Sequence, residues 1–447
     1  MELKILITGI MIVLITSSIT VSGSIFVKNI GEELSVSNLL EGGYLEILDG
    51  VKVLHTNGSY YNMGYQHGYF LSEEIKQNLR AALNYAETFG IDETQLKNAW
   101  NITKNSMPQD ILDEFQGMAD GANVSFEELN YINLIPMLVH TDFPDQCTGF
   151  VMWGPATVDG ELIQVASTDI KLDIEDPVTG KRPQENQIMI VRSPEGGFVS
   201  MYPAYAGYYG WNGINSQGIG ICIQASWTDS TSYQGVPLKY RTQMAMDKAS
   251  NVEEAIGIIR SNKTVGYNVI VSDAKIPVAY VIEMNADTTY IGTYDNPCES
   301  TKPFWQIDNV IRRSNFFIST SLSATQRSHY SPKSLFLMLV GQNNFYPFWL
   351  IYKSLSKNIE KNYGDIDIDI SLQIMMETYT GESDVFISFV QNFGLVNKLA
   401  KKMGYLQALN QFATCPKTGD MIVTFADKDN PSCENPVHRF NLYELID

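Results

Sequence analysis

Asp145-Gln-Cys-Thr-Gly-Phe-Val-Met-Trp-Gly-Pro-Ala-Thr-Val-Asp-Gly-Glu-Leu-Ile-Gln-Val-Ala-Ser-Thr-Asp169 is the stretch on which the fold turns. Two apolar runs, Thr148–Trp153 and Glu161–Ala166, flank a cluster of breakers: Gly154, Pro155, Asp159 and Gly160. Asp-Gly between apolar runs is a strong hairpin signal. The midpoint between Cys147 and Asp169 is Val158, inside the turn. The spacing therefore predicts a thiol and a carboxylate as cross-strand neighbours, about 5 Å apart at Cβ. The plain alternative is a buried structural cysteine and a surface aspartate.

The chain of 447 residues is long enough for one large domain or two ordinary ones. A net charge of −19 repels phosphate backbones and argues against a nucleic-acid partner. The opening Met1-Glu-Leu-Lys4, the apolar run Ile5–Ile15 and the small residues up to Gly23 predict a signal peptide over residues 1–23. The apolar run is short for a spanning helix, which needs about 20 residues. Secretion or another extracytoplasmic, endolysosomal location is the expectation. Sequons at Asn57, Asn101, Asn123 and Asn262 fit that route and glycosylation. Five cysteines leave at least one thiol unpaired in an oxidising compartment, with Cys415 and Cys433 the candidate structural pair.

Ahead of the hairpin the pattern is mainly helical. A short strand over Gly43–Val53 and a turn at Asn57-Gly-Ser59 precede a helix carrying Met63-Gly-Tyr-Gln-His-Gly68, where Gly64 and Gly68 form a small-residue stripe. Pro108 opens a second helix through Ala122, and Ser125-Phe-Glu-Glu128 caps a third. Behind the hairpin, strands are expected at Gln187–Arg192, Gly197–Tyr202, Gly210–Ile214, Gly218–Gln224, Asn268–Val271 and Val278–Glu283. Helices are expected at Tyr240–Lys248 and Val252–Ile259, then a largely helical stretch over 306–410 and closing strands near Met421–Phe425 and Phe440–Tyr443. The class is α+β.

Phosphate loops, dinucleotide fingerprints, His-Glu-x-x-His, Cys-x-x-Cys and Gly-x-Ser-x-Gly do not occur, and the five histidines lack metal-ligand spacing. No metal or cofactor is expected, and cysteine is the remaining reactive candidate.

Five motifs in order then carry a resemblance: Gly58-Ser-Tyr-Tyr-Asn-Met-Gly-Tyr-Gln-His-Gly68, Gly117-Met-Ala-Asp-Gly-Ala-Asn-Val-Ser-Phe-Glu-Glu-Leu129, Cys147-Thr-Gly-Phe-Val-Met-Trp-Gly154 with Asp159-Gly160, Trp211-Asn-Gly-Ile-Asn-Ser-Gln-Gly-Ile-Gly220, and Asn251-Val-Glu-Glu-Ala-Ile256 with Ser272-Asp273. Together they resemble the isopenicillin N acyltransferase-like family of autoproteolytic N-terminal nucleophile hydrolases. The resemblance implies a four-layer αββα sandwich of two antiparallel sheets. It implies a helical pro-segment, residues 24–146, that stays with a catalytic domain, residues 147–447, after self-cleavage at Gln146–Cys147. The freed α-amino group of Cys147 would then be the general base, near its ordinary pKa of about 7.7–8.0. The implied substrate is an acylated small molecule or lipid amide.

Carried over residue by residue, Asp169 matches the hairpin-end aspartate, Asn296 the oxyanion donor and Arg313, with Arg312 nearly as good, the later arginine. One oxyanion donor is typically worth about 3 kcal/mol. Gln224 is a substitute donor on the substrate side. Val165-Ala166-Ser167-Thr168-Asp169 departs from the family's Gly-Arg/Gln-Asn-x-Asp ending, with Ser167 in a substrate-contacting place. Two alternatives stay open: a non-catalytic binding protein on the same fold, and a Cys/His hydrolase using His140 or His67.

Overall fold

The computed structural model describes residues 36–138, 146–170, 172–208, 212–326, 345–380 and 408–446. The expected signal peptide, His140 and Trp211 lie outside them. Fifteen described strands make two sheets. The larger runs β1 (Tyr44–Leu48), β2 (Val51–Gly58), β5 (Gln187–Pro194), β6 (Ser200–Tyr205), β7 (Gly213–Asn215), β8 (Ile219–Ala225), β9 (Tyr267–Asp273), β10 (Val278–Met284) and β11 (Thr289–Gly292), in that spatial order. The smaller runs β12 (Val310–Arg313), β3 (Gln146–Met152), β4 (Ile163–Asp169), β13 (Ala408–Cys415), β14 (Asp420–Phe425) and β15 (Val437–Asn441).

Successive side chains point to opposite faces and the central strands are buried along nearly their whole length, so each sheet has two faces to cover. Val151, Ala166, Cys222, Ile270, Ile311 and Phe412 close the space between the sheets. The outer face of the larger sheet packs under α1 (Tyr60–Phe70), α2 (Ser72–Thr88), α3 (Glu93–Thr103), α4 (Gln109–Ala122) and α5 (Phe126–Leu138), with α6 (Leu238–Lys248) and α7 (Val252–Ile259) beside them. The outer face of the smaller sheet packs under α8 (Phe345–Asn362) and α9 (Ile368–Thr380). The chain is thus the αββα sandwich that the motifs imply.

Three details differ from the sequence reading. The expected short strand is a hairpin, turning at Asp49 and Gly50 with φ of 50° and 79°. Its second strand joins the larger sheet through β5 in parallel, so that sheet is not purely antiparallel. Residues 36–138 consequently share a sheet with the rest of the chain. Finally, β12 and the first three residues of β13 fall in the stretch read as helical. All eight residues of β13 are buried, so the polar-apolar alternation that marks a half-exposed strand is missing.

Capping agrees with the sequence. Ser59 Oγ accepts the Asn62 N–H at 3.2 Å to start α1, and Ser125 Oγ accepts the Glu128 N–H at 3.2 Å before α5. The glycine stripe also does what its spacing predicts. A Cβ on Gly64 would lie 1.9 Å from Glu114 O, and one on Gly117 would lie 2.0 Å from Tyr61 O. Helices α1 and α4 cross backbone to backbone, and any larger residue would force them apart.

Candidate active site

The hairpin register decides which groups meet. Cys147 pairs with Thr168, and Asp169 pairs with Gln146. The observed register is one residue off the pairing predicted from the sequence, and in a strand one residue turns a side chain to the other face. Cys147 and Thr168 share the face that meets the larger sheet. Asp169, Ser167 and Thr148 lie on the face under α9. The thiol and the carboxylate are thus diagonal cross-strand neighbours, one register step from direct opposition, at the strand end where both line one cleft.

On the α9 side, Ser167 Oγ donates to Asp169 Oδ1 at 2.5 Å. The Tyr379 hydroxyl donates to Asp169 Oδ2 at 2.5 Å and lies 3.0 Å from Thr148 Oγ1. Gln411 Nε2 donates to Ser167 Oγ at 3.2 Å. Burial pushes the Asp169 carboxyl up to about 7, against the pull of the Ser167 and Tyr379 hydrogen bonds. Ser167, read as a substrate contact, is instead fully buried and spent on Asp169.

On the Cys147 side, the backbone N–H of Cys147 donates to Asn315 Oδ1 at 3.0 Å, and Asn315 Nδ2 donates to Ala225 O at 2.8 Å. Asn212 Nδ2 donates to Thr168 Oγ1 at 3.0 Å while its Oδ1 accepts the Ile223 N–H at 2.7 Å. A cleft opens at Cys147, Thr168 and Asp169. Tyr85, Ile132 and Ile135 form one wall, and Ile174, Tyr205 and Tyr208 form another. The first wall comes from α2 and α5, so residues ahead of Cys147 shape the space the thiol faces.

The remaining sequence candidates sit elsewhere. Asn296 caps the turn Pro297–Ser300, its Oδ1 accepting the Cys298 N–H at 3.1 Å. That turn takes its acceptor, and Asn315 is the asparagine that touches Cys147. Arg313 is fully buried between Glu283, at 2.9 Å, and Glu299. Glu283 also accepts the Ile318 and Ser319 N–H groups at 3.0 and 2.8 Å. Arg313 thereby anchors the segment that carries Asn315 rather than reaching the cleft. Arg312 turns the other way, onto Ser356 Oγ at 2.5 Å and the Tyr352 ring.

Gln224 is sealed between the sheets, its Nε2 2.9 Å from Cys222 Sγ. A Cβ on Gly149 would lie 2.0 Å from that sulfur, so glycine is what lets β3 and β8 approach. His67 Nε2 accepts the Gly207 N–H at 3.2 Å, and burial pulls its pKa down to about 3. It is a neutral core histidine and gives the Cys/His reading no support. Cys415 is a free thiol, which corrects its pairing with Cys433.

The sequence reading missed Asn315, Tyr379 and Asn212. Asn315 was visible only as a neighbour of Arg313, and Tyr379 lies 210 residues from Asp169. Asn212 stands inside the Trp211–Gly220 motif, but no local pattern marks the contacts that the three make.

Comparison with known proteins follows the motifs. Residues 179–344 match the family described as Acyl-coenzyme A:6-aminopenicillanic acid acyl-transferase, the family the motifs point to. The chain is 22% identical over 286 residues to Protein dcd1B of Dictyostelium discoideum, covering 57% of this chain and 54% of that protein. It spans about half the length of the curated relatives it matches. Among solved structures, the Caenorhabditis elegans ortholog of N-acylethanolamine-hydrolyzing acid amidase is similar with a TM-score of 0.38 and 12% identity, over 66% of this chain and 99% of that one. Penicillin V acylase from Agrobacterium tumefaciens is similar with a TM-score of 0.37 and 12% identity, over 67% of this chain and 87% of that one.

Proposed function

We propose that this chain is a secreted, self-processing cysteine-nucleophile amidohydrolase or acyltransferase, acting on the carbon–nitrogen bond of an uncharged acyl amide, either a small molecule or a lipid amide. One observation carries the reading: Cys147 stands at the start of a hairpin strand, its nitrogen held by Asn315, with an apolar cleft in front of it. A nucleophile that also supplies its own base needs that position, because its nitrogen must become a chain terminus.

In self-cleavage the Cys147 sulfur bonds to the Gln146 carbonyl carbon, the carbon–nitrogen bond breaks, and the thiol proton ends on the nitrogen. Water then adds to the thioester, releasing Gln146 as a carboxylate and restoring the thiol. An external amide repeats the steps, the α-amine taking the thiol proton and returning it to the leaving amine. Asp169 lies across from Gln146, so release of Gln146 uncovers the strand end beside the new amine. The cleft is lined chiefly by Tyr, Ile, Pro and Ala, which suits an apolar acyl group. The pro-segment, supplying one wall, remains bound.

The test is an intact-mass spectrum and a denaturing gel of the purified full chain. The wild type should give two fragments divided at Cys147, and Cys147→Ala a single uncut chain. A wild-type chain that stays whole and releases no p-nitroaniline from acyl p-nitroanilides would leave the binding-protein alternative standing.

A further inference from the structure

The face of the smaller sheet that packs under α9 is apolar at one end and polar at the other. Phe150 and Met152 on β3, with Ile163 and Val165 on β4, lie in the core beneath α8 and α9. Toward the Gln146–Cys147 bond the same face carries Thr148 and Ser167, direct partners in the register, and then Asp169. All three are buried, and so is Tyr379 in the last turn of α9. The Tyr379 ring belongs to the apolar core, where a phenylalanine ring would serve as well. Its hydroxyl reaches past that core to Asp169 Oδ2 at 2.5 Å and Thr148 Oγ1 at 3.0 Å. A phenol has one proton for these two oxygens. Turned to Oδ2, it stabilises a carboxylate. Turned to Thr148, it leaves an oxygen lone pair to accept a proton held on Oδ2. Ser167 has no such choice: Gln411 Nε2 donates into its oxygen at 3.2 Å, which leaves its own proton for Asp169 Oδ1. The carboxyl thus faces hydroxyls from β4, β3 and α9, with the Gln411 amide of β13 behind Ser167. Tyr379 and the Cys147 thiol, which lines the same cleft, are the other titratable groups there, and among the described residues no cation pairs with Asp169.

We propose that Tyr379 is a positioning residue acting through Asp169, its hydroxyl turning between Oδ2 and Thr148 so that Asp169 is a neutral acid in the uncut chain and a carboxylate in the cut one. The inference rests on the self-processing reading above. Before cutting, the Cys147 nitrogen is an uncharged amide, and a buried anion at Asp169 would have no cation to answer. The upward push of burial on the Asp169 carboxyl, to about 7, agrees with that. After cutting, the α-amine becomes a cation each time it takes the thiol proton, and an anion in the same cleft stabilises it. Asp169 then gives its proton to water in the cleft. The Tyr379 proton turns to Oδ2 and meets the new charge as a charge-assisted hydrogen bond.

Variants of the full chain separate this role from simple anchoring of α9. Tyr379→Phe keeps the ring and removes the donor. A carboxylate that loses one hydroxyl hydrogen bond gives up stabilisation equivalent to about one pH unit. The variant should still cut, and the acidic limb of its p-nitroaniline release from octanoyl p-nitroanilide should move up by about one unit. Its loss against the wild type should then be about 10-fold greater at about pH 5.5 than at about pH 9. A ring-fluorinated tyrosine at position 379, a more acidic phenol and a stronger donor, should move the limb the other way. In the uncut Cys147→Ala chain, the Asp169 carboxyl band, read as an infrared difference against Asp169→Asn, should titrate about one unit higher once Tyr379→Phe is added. A hydroxyl that only anchors α9 would cost activity equally at every pH. The role is overturned if the Tyr379→Phe loss is the same at both pH values, if the fluorinated side chain moves the limb upward, or if the carboxyl midpoint stays put. Should Tyr379→Phe fail to fold, the direction of the fluorotyrosine shift decides. A wild type that never cuts would instead sink the self-processing reading, and the infrared titration still decides whether Tyr379 governs Asp169.

Discussion

Burial pushes the Asp169 carboxyl up to about 7 because Ser167 and Tyr379 donate to it without offsetting the loss of water. Its folded pKa lies above the ordinary carboxylate value, so the folded state holds a proton that the unfolded state has lost. The contribution to stability is complete below about pH 4 and disappears as pH rises through about 7. The difference amounts to roughly 4 kcal/mol by linkage. Asp169→Asn, which cannot ionise, should gain thermal stability relative to the wild type as pH rises from about 4 to about 7. Melting temperatures at several pH values check this, and a constant difference across that range would contradict it. The same scale explains what the sequence hid. Cys147 and Asp169 are legible as two ends of one hairpin, but the face each occupies depends on a register that pairs Cys147 with Thr168, one residue short of Asp169.

At the scale of elements, α1 and α4 cross through Gly64, Gly68, Gly117 and Gly121, each with a facing backbone atom within 2.3 Å of where a Cβ would sit. Gly64→Ala should lower stability by about 1–3 kcal/mol or more, read as a fall in melting temperature, because neither helix can yield without losing the other's packing. The stripe was legible in the sequence as glycines four apart. Its partner helix was not, since sequence spacing says that a helix is narrow on one face and not what lies there. The strands divide in the same way. Hairpins with Gly or Asn turns declared themselves, whereas β13, buried along its whole length, did not.

Across the whole molecule, the segment ahead of Cys147 is woven into the larger sheet. Its strand β2 pairs with β5, and Arg192 on β5 binds Glu114 on α4 and Asp247 on α6, all three buried. Arg80 on α2 grips Asp176 through two hydrogen bonds of 2.8 and 2.7 Å. After self-cleavage the two chains should co-elute in native size-exclusion chromatography and separate only in denaturant. Arg192→Met should weaken that association, because it leaves two buried carboxylates without their cation, a loss of about 3–5 kcal/mol for a broken buried pair. Unchanged co-elution of the Arg192→Met chains through a denaturant titration would show that strand pairing alone retains the segment.

By itself the sequence determined the chemistry on offer: a cysteine at a hairpin's head, an acidic chain, helices before and strands after, and motifs in the order of one family. Those are local or compositional properties, and they survive without knowledge of contacts. Only the tertiary structure decided which groups share a face, that Asn315 meets the Cys147 nitrogen while Asn296 caps a turn, that Arg313 is a buried anchor, and that α2 and α5 complete the cleft. Each of those facts depends on strand register or on packing between residues far apart in the chain, and neither leaves a periodic trace in the sequence.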